Sequence, residues 1–194
     1  MTDILDDASL DRLFRSARST HAFKEATVSD ATLNRLYDLL KWGPTAFNAQ
    51  PARYVFVRSE AAKARLLPTL SSANREKTSK APVTVIVAYD SRFFESLAEP
   101  NARVLELFTG NGALAEATAF RNGTLQGAYL IIAARALGLA VGPMSGFDAD
   151  ALDREFFPDG RYRANFLVNV GYPDDSEPRP RGRRLAFGDV ADVI

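Results

Sequence analysis

The side chains best suited to holding a small polar ligand fall in the ten-residue stretch WGPTAFNAQP, Trp42 to Pro51, where Thr45, Asn48 and Gln50 bring a hydroxyl and two amides. Leu33, Leu36, Tyr37 and Leu40 repeat at helical spacing before it, and Tyr54 to Val57 read as a strand after it. A polar loop on the rim between two apolar elements is a ligand-binding shape. The alternative is an ordinary connection whose Asn and Gln satisfy their own backbone.

Four further clusters carry chemistry. SARSTHAF, Ser16 to Phe23, places Arg18, Ser19 and His21 at the end of an amphipathic segment. Guanidinium, hydroxyl and imidazole together suit a phosphate, although a helix C-terminus also attracts cations through its dipole. Asn74 and Lys77 lie one helical turn apart and share a face, which is either functional or merely solvated. RPRGRR, Arg179 to Arg184, puts Arg179, Arg181 and Arg183 on one side of an extended chain. A single phosphate monoester is a better-sized partner for it than nucleic acid, because interleaved aromatics and overall basic charge are missing. In VGPMSGFD, Val141 to Asp148, two glycines and Pro143 predict a tight turn whose N–H groups can approach a flat heteroaromatic ring.

Other chemistry is excluded by composition. There is no cysteine, hence no thiolate nucleophile, disulfide framework or Cys-based metal site. His21 is the single histidine, so multi-histidine metal sites are out, and no G-x-S-x-G elbow accompanies it. Neither G-x-G-x-x-G nor a P-loop occurs. An enzyme with so few nucleophiles and proton donors near neutral pH relies on a bound cofactor.

Lys+Arg 24 balance Asp+Glu 24, so the global field that draws nucleic acid or an acidic membrane is absent. The acidic start MTDILDDASL does not resemble a signal peptide, and the apolar run near Tyr129 to Ala134 is cut by Arg135, which predicts a cytoplasmic protein without a membrane span. At 194 residues and 46% hydrophobic, the expectation is one domain covering residues 1–194.

The elements that position these clusters read as mixed α and β. Helices are predicted at Leu10 to Ala17, Ala31 to Trp42, Glu60 to Leu67, Asn74 to Lys80, Ala113 to Phe120, Thr124 to Leu137 and Ala149 to Phe156. Ser29 and Asp30 are candidate N-caps of the second, Gly43-Pro44 its stop, and Pro68 ends the third. Strands are predicted at Arg53 to Arg58, Val83 to Tyr89 and Asn165 to Val170, with a short one near Ala140. The apolar run PVTVIVAYD predicts a central strand covered on both faces. Thr124 to Leu137 is apolar on more than one face, as expected of a helix that is either central in the core or, the favoured case at this length, shared with another subunit, and Gly138 is its natural cap. Ser91 to Asn111 is polar and irregular, a lid candidate.

In their order along the chain these clusters resemble the FMN-dependent nitroreductase family. Arg18-Ser19, followed by His21 at a basic position, is similar to the family's N-terminal strip, PTAFNAQP to its Pro-Ser/Thr-x-x-Asn-x-Gln-Pro loop, Asn74 and Lys77 to its Asn-x-x-Lys pair, and Pro143 to Asp148 to its Pro-x-x-Gly-Phe-Asp turn. KWGPT, APVT, EATAFRN, AYLI, RALGL and GPMSGFD resemble the short branch typified by malonic semialdehyde reductases and NADH dehydrogenase/NAD(P)H nitroreductases. Two positions depart: Ala17 stands where an arginine is expected, and Ser145 where an acid is frequent.

The resemblance implies an α+β nitroreductase-like fold, a central mixed sheet flanked by helices, in an intertwined homodimer with FMN at the subunit interface. FMN would meet Arg18, Ser19, His21, Pro44, Thr45, Ala46, Asn48, Asn74, Lys77, Pro143, Met144, Ser145, Gly146, Arg181 and Arg183. NADH or NADPH is the implied co-substrate and a small organic molecule the acceptor, with no metal and no catalytic side chain. The rival readings are a broad nitroaromatic or quinone reductase, a flavin-binding protein without turnover, and a phosphate-ligand module without flavin.

Overall fold

The computed structural model describes residues 4–97, 100–174 and 180–194. Four strands, β1 (Ala52–Val57), β2 (Val83–Asp90), β3 (Ala140–Met144) and β4 (Tyr162–Gly171), form one sheet in the order β1-β2-β4-β3. Each neighbouring pair is antiparallel, and a parallel bridge between Ser19 and Val141 adds the mixed character at the β3 edge. β2 is interior and buried along its whole length, as its unbroken apolar run predicts.

The period of two sorts its side chains between two cores. Val83, Val85 and Val87 face Leu36 and Leu40 of α2 (Asp30–Leu40) and Leu130, Ala133 and Ala134 of α6 (Gly112–Ala136). Ile86 and Ala88 face Leu66 of α3 (Glu60–Leu66) and Leu152 of α7 (Ala149–Phe156). Ser29 caps α2 by accepting from Thr32 N, and Lys41 ends it before Gly43-Pro44. Pro68 turns the end of α3 into a 3-10 turn, Leu67–Thr69.

Three expectations change. The segment predicted as a helix from Leu10 to Ala17 is a short α1 (Asp7–Leu10) followed by a π-helical turn, Asp11–Arg15, with no buried residue in either. The two helices predicted on either side of residues 121–123 are one, α6, of 25 residues. Its polar-glycine interruption does not break it: Asn122 donates to Thr118 O (2.8 Å), and glycine is what lets α6 lie against the sheet, since a Cβ at Gly127 would stand 2.4 Å from the Phe166 ring. Third, the segment from Ser91 to Asn111 is not irregular in its described part, residues 98–99 lying outside the described residues: a 3-10 turn at Phe93–Ser96 and α5 (Ala102–Thr109) bury Phe93, Val104 and Phe108 in a small aromatic core.

The outer face of α6 remains uncovered by its own chain, with Phe120 50% and Leu125 46% exposed. Gly138, at φ 77°, ends the helical region in the left-handed conformation that suits glycine. Among the described residues no helix is long and apolar enough to cross a membrane, and no group of three or more potential metal ligands is found.

Candidate functional site

Edge strand β3 assembles the site. On its outer side the N-terminal strip runs alongside: Ser19 bridges Val141, and Thr20 N donates to Val141 O at 2.9 Å. Arg18, Ser19 and His21 therefore line a cleft of about 520 Å³ at the start of β3, together with Arg12 and Arg135. From Val141 to Met144 the strand covers about 10 Å. It then delivers Ser145 and Gly146 to α4 (Ser72–Lys80). VGPMSGFD is thus half strand and half turn, with Pro143 exposed, Met144 buried and Ser145 exposed.

The junction with α4 is close. Asn74 Nδ2 donates to Gly146 O at 2.8 Å, Ser71 N donates to the same oxygen at 3.0 Å, and a Cβ at Gly146 would stand 2.7 Å from Asn74 Nδ2. Only glycine permits that approach. With Gly146 O occupied, the N–H groups of Ser145 and Gly146 have no partner among the described residues. Lys77, one turn on from Asn74 and half-buried, makes no hydrogen bond or ion pair among them either. Two open backbone donors at the turn, with Lys77 one helical turn from the Asn74 that meets it, suit the edge of an electron-rich, hydrogen-bond-accepting ring. Below them a buried polar chain fixes α4 to the sheet: Thr84 Oγ1 donates to Asn169 Oδ1 (2.7 Å), and Asn169 Nδ2 donates to Thr78 Oγ1 (3.3 Å).

The C-terminal strip is only partly gathered in. Arg181 reaches the N-terminal strip and donates to the carbonyls of Phe14, Arg15 and Ala17. Partial desolvation, then the charges of Arg18 and Arg184, push its guanidinium below the usual range. Arg183 is exposed and makes no such contact, while Arg179 lies outside the described residues. Arg18 itself donates from Nη1 to the carbonyls of Arg15 and Ala17.

The Pro44, Thr45, Ala46 and Asn48 loop lies elsewhere. Asn122 Oδ1 of α6 accepts Ala46 N at 2.8 Å, and Thr45 Oγ1 accepts Gln50 N at 3.1 Å. Phe47, Asn48 and Gln50 all have positive φ (55°, 50° and 43°), a strained sequence held by these bonds and by Arg53, which donates to Gln50 O at 3.0 Å. Phe47 is consequently presented outward, 59% exposed. Asn122 and Arg135, the contacts of the loop and of the cleft on α6, are separated by about 20 Å of helix. Within one chain the loop does not join the β3 site.

Sequence reading passed over Arg135, Asn122 and Gln126. The signal for the two amides was present: polar side chains at i and i+4 in an otherwise apolar helix need buried partners. Nothing local marked Arg135, whose neighbours are set by the return of residues 11–22 to β3.

Comparison with known proteins shows the family. The profile described as the Nitroreductase family matches residues 14–172. The chain belongs to the nitroreductase family. A Burkholderia lata protein provisionally named NADH dehydrogenase/NAD(P)H nitroreductase is 55% identical over 191 residues, covering 97% of this chain and 98% of that one. A Rhodopseudomonas palustris protein of the same provisional name is 53% identical, with both chains fully covered. Among solved structures, the Bacillus subtilis protein ydfN, provisionally named a nitroreductase, superimposes with a TM-score of 0.86 at 22% identity, covering 97% of this chain and 100% of its own. A provisionally named nitroreductase from Exiguobacterium sibiricum solved in complex with FMN gives 0.83 at 20% identity and 99% coverage of both chains. At these identities the two structures establish the nitroreductase-like fold.

Proposed function

We propose that this nitroreductase-family chain is an FMN-dependent NAD(P)H oxidoreductase working as a homodimer. The observation that carries the reading is the edge of β3, which lines up a cationic cleft at Arg18 and Ser19 with the donors of Ser145, Gly146, Asn74 and Lys77. That is the donor order of a phosphate followed by a flavin ring. Bound FMN supplies two-electron hydride chemistry between NADH or NADPH and a small organic acceptor.

The protein's own groups bind and orient. Arg18 and Ser19, with Arg181 or Arg183, hold the phosphate through charge-assisted bonds. Lys77 places a positive charge beside the pyrimidine edge and so favours negative charge gained there, and the Gly146 backbone keeps Asn74 in place. His21 stands at the basic position between the cleft and the ring. No side chain acts as a nucleophile; nicotinamide and acceptor take turns in one cleft, which predicts ping-pong kinetics.

The dimer is supported by two features of the single chain. The Thr45 to Asn48 loop stands apart from the β3 site, so a second chain supplies it. The outer face of α6 and the C-terminal residues Leu185, Phe187, Val190 and Val193 expose apolar side chains that one chain leaves uncovered.

For the acceptor, similarity to the short branch favours a small aldehyde of the malonic semialdehyde type, reduced to 3-hydroxypropionate. The relatives' provisional nitroreductase names favour a nitroaromatic or quinone instead. An absorption spectrum of the purified protein, anaerobic titration with NADH and with NADPH, and turnover with each acceptor class test the reading. A colourless protein that takes up no added FMN overturns it, and a flavin that neither nucleotide bleaches leaves flavin binding without catalysis.

A further inference from the structure

Arg135 ends the outward stretch of α6 with a guanidinium only partly used. Its Nη1 donates to Leu13 O at 3.1 Å, tying the helix to the π-helical turn at Asp11–Arg15. Its Nε is buried with no hydrogen-bond partner, and its Nη2 has none among the described residues. Burial first, and the charge of Arg181 second, hold the side chain below the usual arginine range. A half-buried cation with a buried donor left open is rare in a native structure, because each unmet donor keeps its full desolvation penalty.

The other groups on the cleft do not meet this need. Arg18 and Arg181 are exposed and spend donors on backbone carbonyls of residues 14–17. Ala17 brings no charge. Asp174, the acid on the wall, has an interaction of its own, and the hydrogen bond of Arg135 among the described residues goes to Leu13. A plain helix-dipole role fits poorly too, because that bond leaves α6 instead of capping its own carbonyls.

Resting on the FMN reading above, we propose that Arg135 is the half-buried anchor of the cofactor phosphate, its Nε–Nη2 edge taking two oxygens of a phosphate monoester while Nη1 holds Leu13. The Nε–Nη2 edge of a guanidinium matches two such oxygens, which a lysine ammonium does not. The assignment gives the cleft a rigid cation on a helix, where the N- and C-terminal strips offer only exposed ones.

The test compares FMN with riboflavin, which has the same ring and ribityl chain but no phosphate. Full-length wild type, Arg135→Gln and Arg135→Lys are titrated with each by flavin fluorescence. The expected result is an FMN affinity lowered roughly tenfold to a hundredfold in Arg135→Gln, and several-fold in Arg135→Lys, with riboflavin affinity unchanged. A general structural role lowers both affinities together, and that outcome, or an unchanged FMN-to-riboflavin ratio, overturns the proposal. Should Arg135→Gln fail to fold, the ratio in Arg135→Lys decides alone. Wild type that binds neither flavin refutes the FMN reading itself, whereas wild type that prefers FMN while both variants keep the preference refutes only the anchor.

Discussion

Asn122 and Gln126, one turn apart on the buried face of α6, each accept a backbone N–H from the same incoming segment: Ala46 N at 2.8 Å and Ala52 N at 2.9 Å. Two amides in an apolar helix thus fix both ends of the strained loop before β1. Asn122 also returns its own amide to Thr118 O, so its carbonyl is free to point at the loop.

Replacing Gln126 with Leu strands Ala52 N in a buried position. An unmet buried donor costs about 1–3 kcal/mol. Urea unfolding of the variant should show a lower midpoint with an unchanged slope. A loss below about 0.5 kcal/mol would mean that water or a backbone shift satisfies Ala52, and that the amide ladder does not hold the loop.

Asp90, at the end of β2, is fully buried between two arginines: Arg53 Nη2 donates to it at 3.0 Å and Arg161 Nη2 at 2.9 Å. The hydrogen bond to Asp90 raises the Arg161 guanidinium above its usual range. Asp90→Asn leaves two partly buried cations facing a neutral amide and should cost about 3–5 kcal/mol. Because Arg53 also holds Gln50 O, the variant should expose the Thr45 to Gln50 loop to proteolysis as well. A variant as stable as wild type to urea would show that both arginines find solvent instead.

Legibility in the sequence followed the range of the forces involved. β2, α2 and α7 were readable because period, capping Ser29 and apolar runs act locally. The continuity of α6 was not, since the Asn122-Gly123 pair looks like a break until Tyr89 and Ala46 are known to pack against it. Likewise the segment from Ser91 to Asn111 read as irregular because Phe93 and Phe108, 15 positions apart, meet only through tertiary packing, with ring centroids at 5.0 Å. At the site, Arg18, Ser19, Asn74 and Gly146 were recognisable as motifs and do converge on β3. The separation of Thr45 and Asn48 from them, and the capture of Arg181 by backbone carbonyls, depend on how distant segments fold back.

The uncovered face of α6 predicts an assembly defect that spares the fold. Leu125 is 46% exposed and borders an apolar hollow with Phe120 and Ala128, so Leu125→Glu should be tolerated by the isolated chain. In a dimer seated on this face the carboxylate is desolvated without a partner, at a cost of several kcal/mol, roughly 3 or more. Sedimentation should find a monomer with unaltered circular dichroism. A dimer of wild-type affinity would place the interface elsewhere.

Asp153 gives a pH signature. Burial raises its carboxyl above the ordinary value of 3.8, against the opposing bond from Ala164 N at 2.8 Å and the charge of Arg163. The folded state therefore binds this proton more tightly than the unfolded one, and the associated stability is present below 3.8 and lost as pH rises through the raised folded value. Asp153→Asn keeps an acceptor for Ala164 and removes the penalty. Its urea midpoint should match wild type at about pH 3 and exceed it at about pH 7. A difference that stays constant across that range would mean the carboxyl titrates alike in both states.

The final prediction probes the turn between β3 and α4. At Gly146 an added Cβ would stand 2.7 Å from both Asn74 Nδ2 and Ser71 Oγ, and its carbonyl already receives both Asn74 Nδ2 and Ser71 N. Gly146→Ala must push α4 and the turn apart, breaking the Asn74 bond and shifting Lys77 with it. The fold should survive, since the Thr84, Asn169 and Thr78 chain still binds α4 to the sheet; the local loss is about 1 kcal/mol for the one bond. On the proposed reading, FMN affinity should fall roughly tenfold, the equivalent of one lost hydrogen bond, and the visible flavin band should move because the donors at its ring edge are displaced. Ser145→Ala is the companion variant: its side chain is exposed and its backbone is retained, so affinity and band should remain as in wild type. If Gly146→Ala binds FMN as tightly as wild type with an identical spectrum, the Ser145 and Gly146 turn does not face the ring, and the donor order along β3 has been assigned to the wrong ligand.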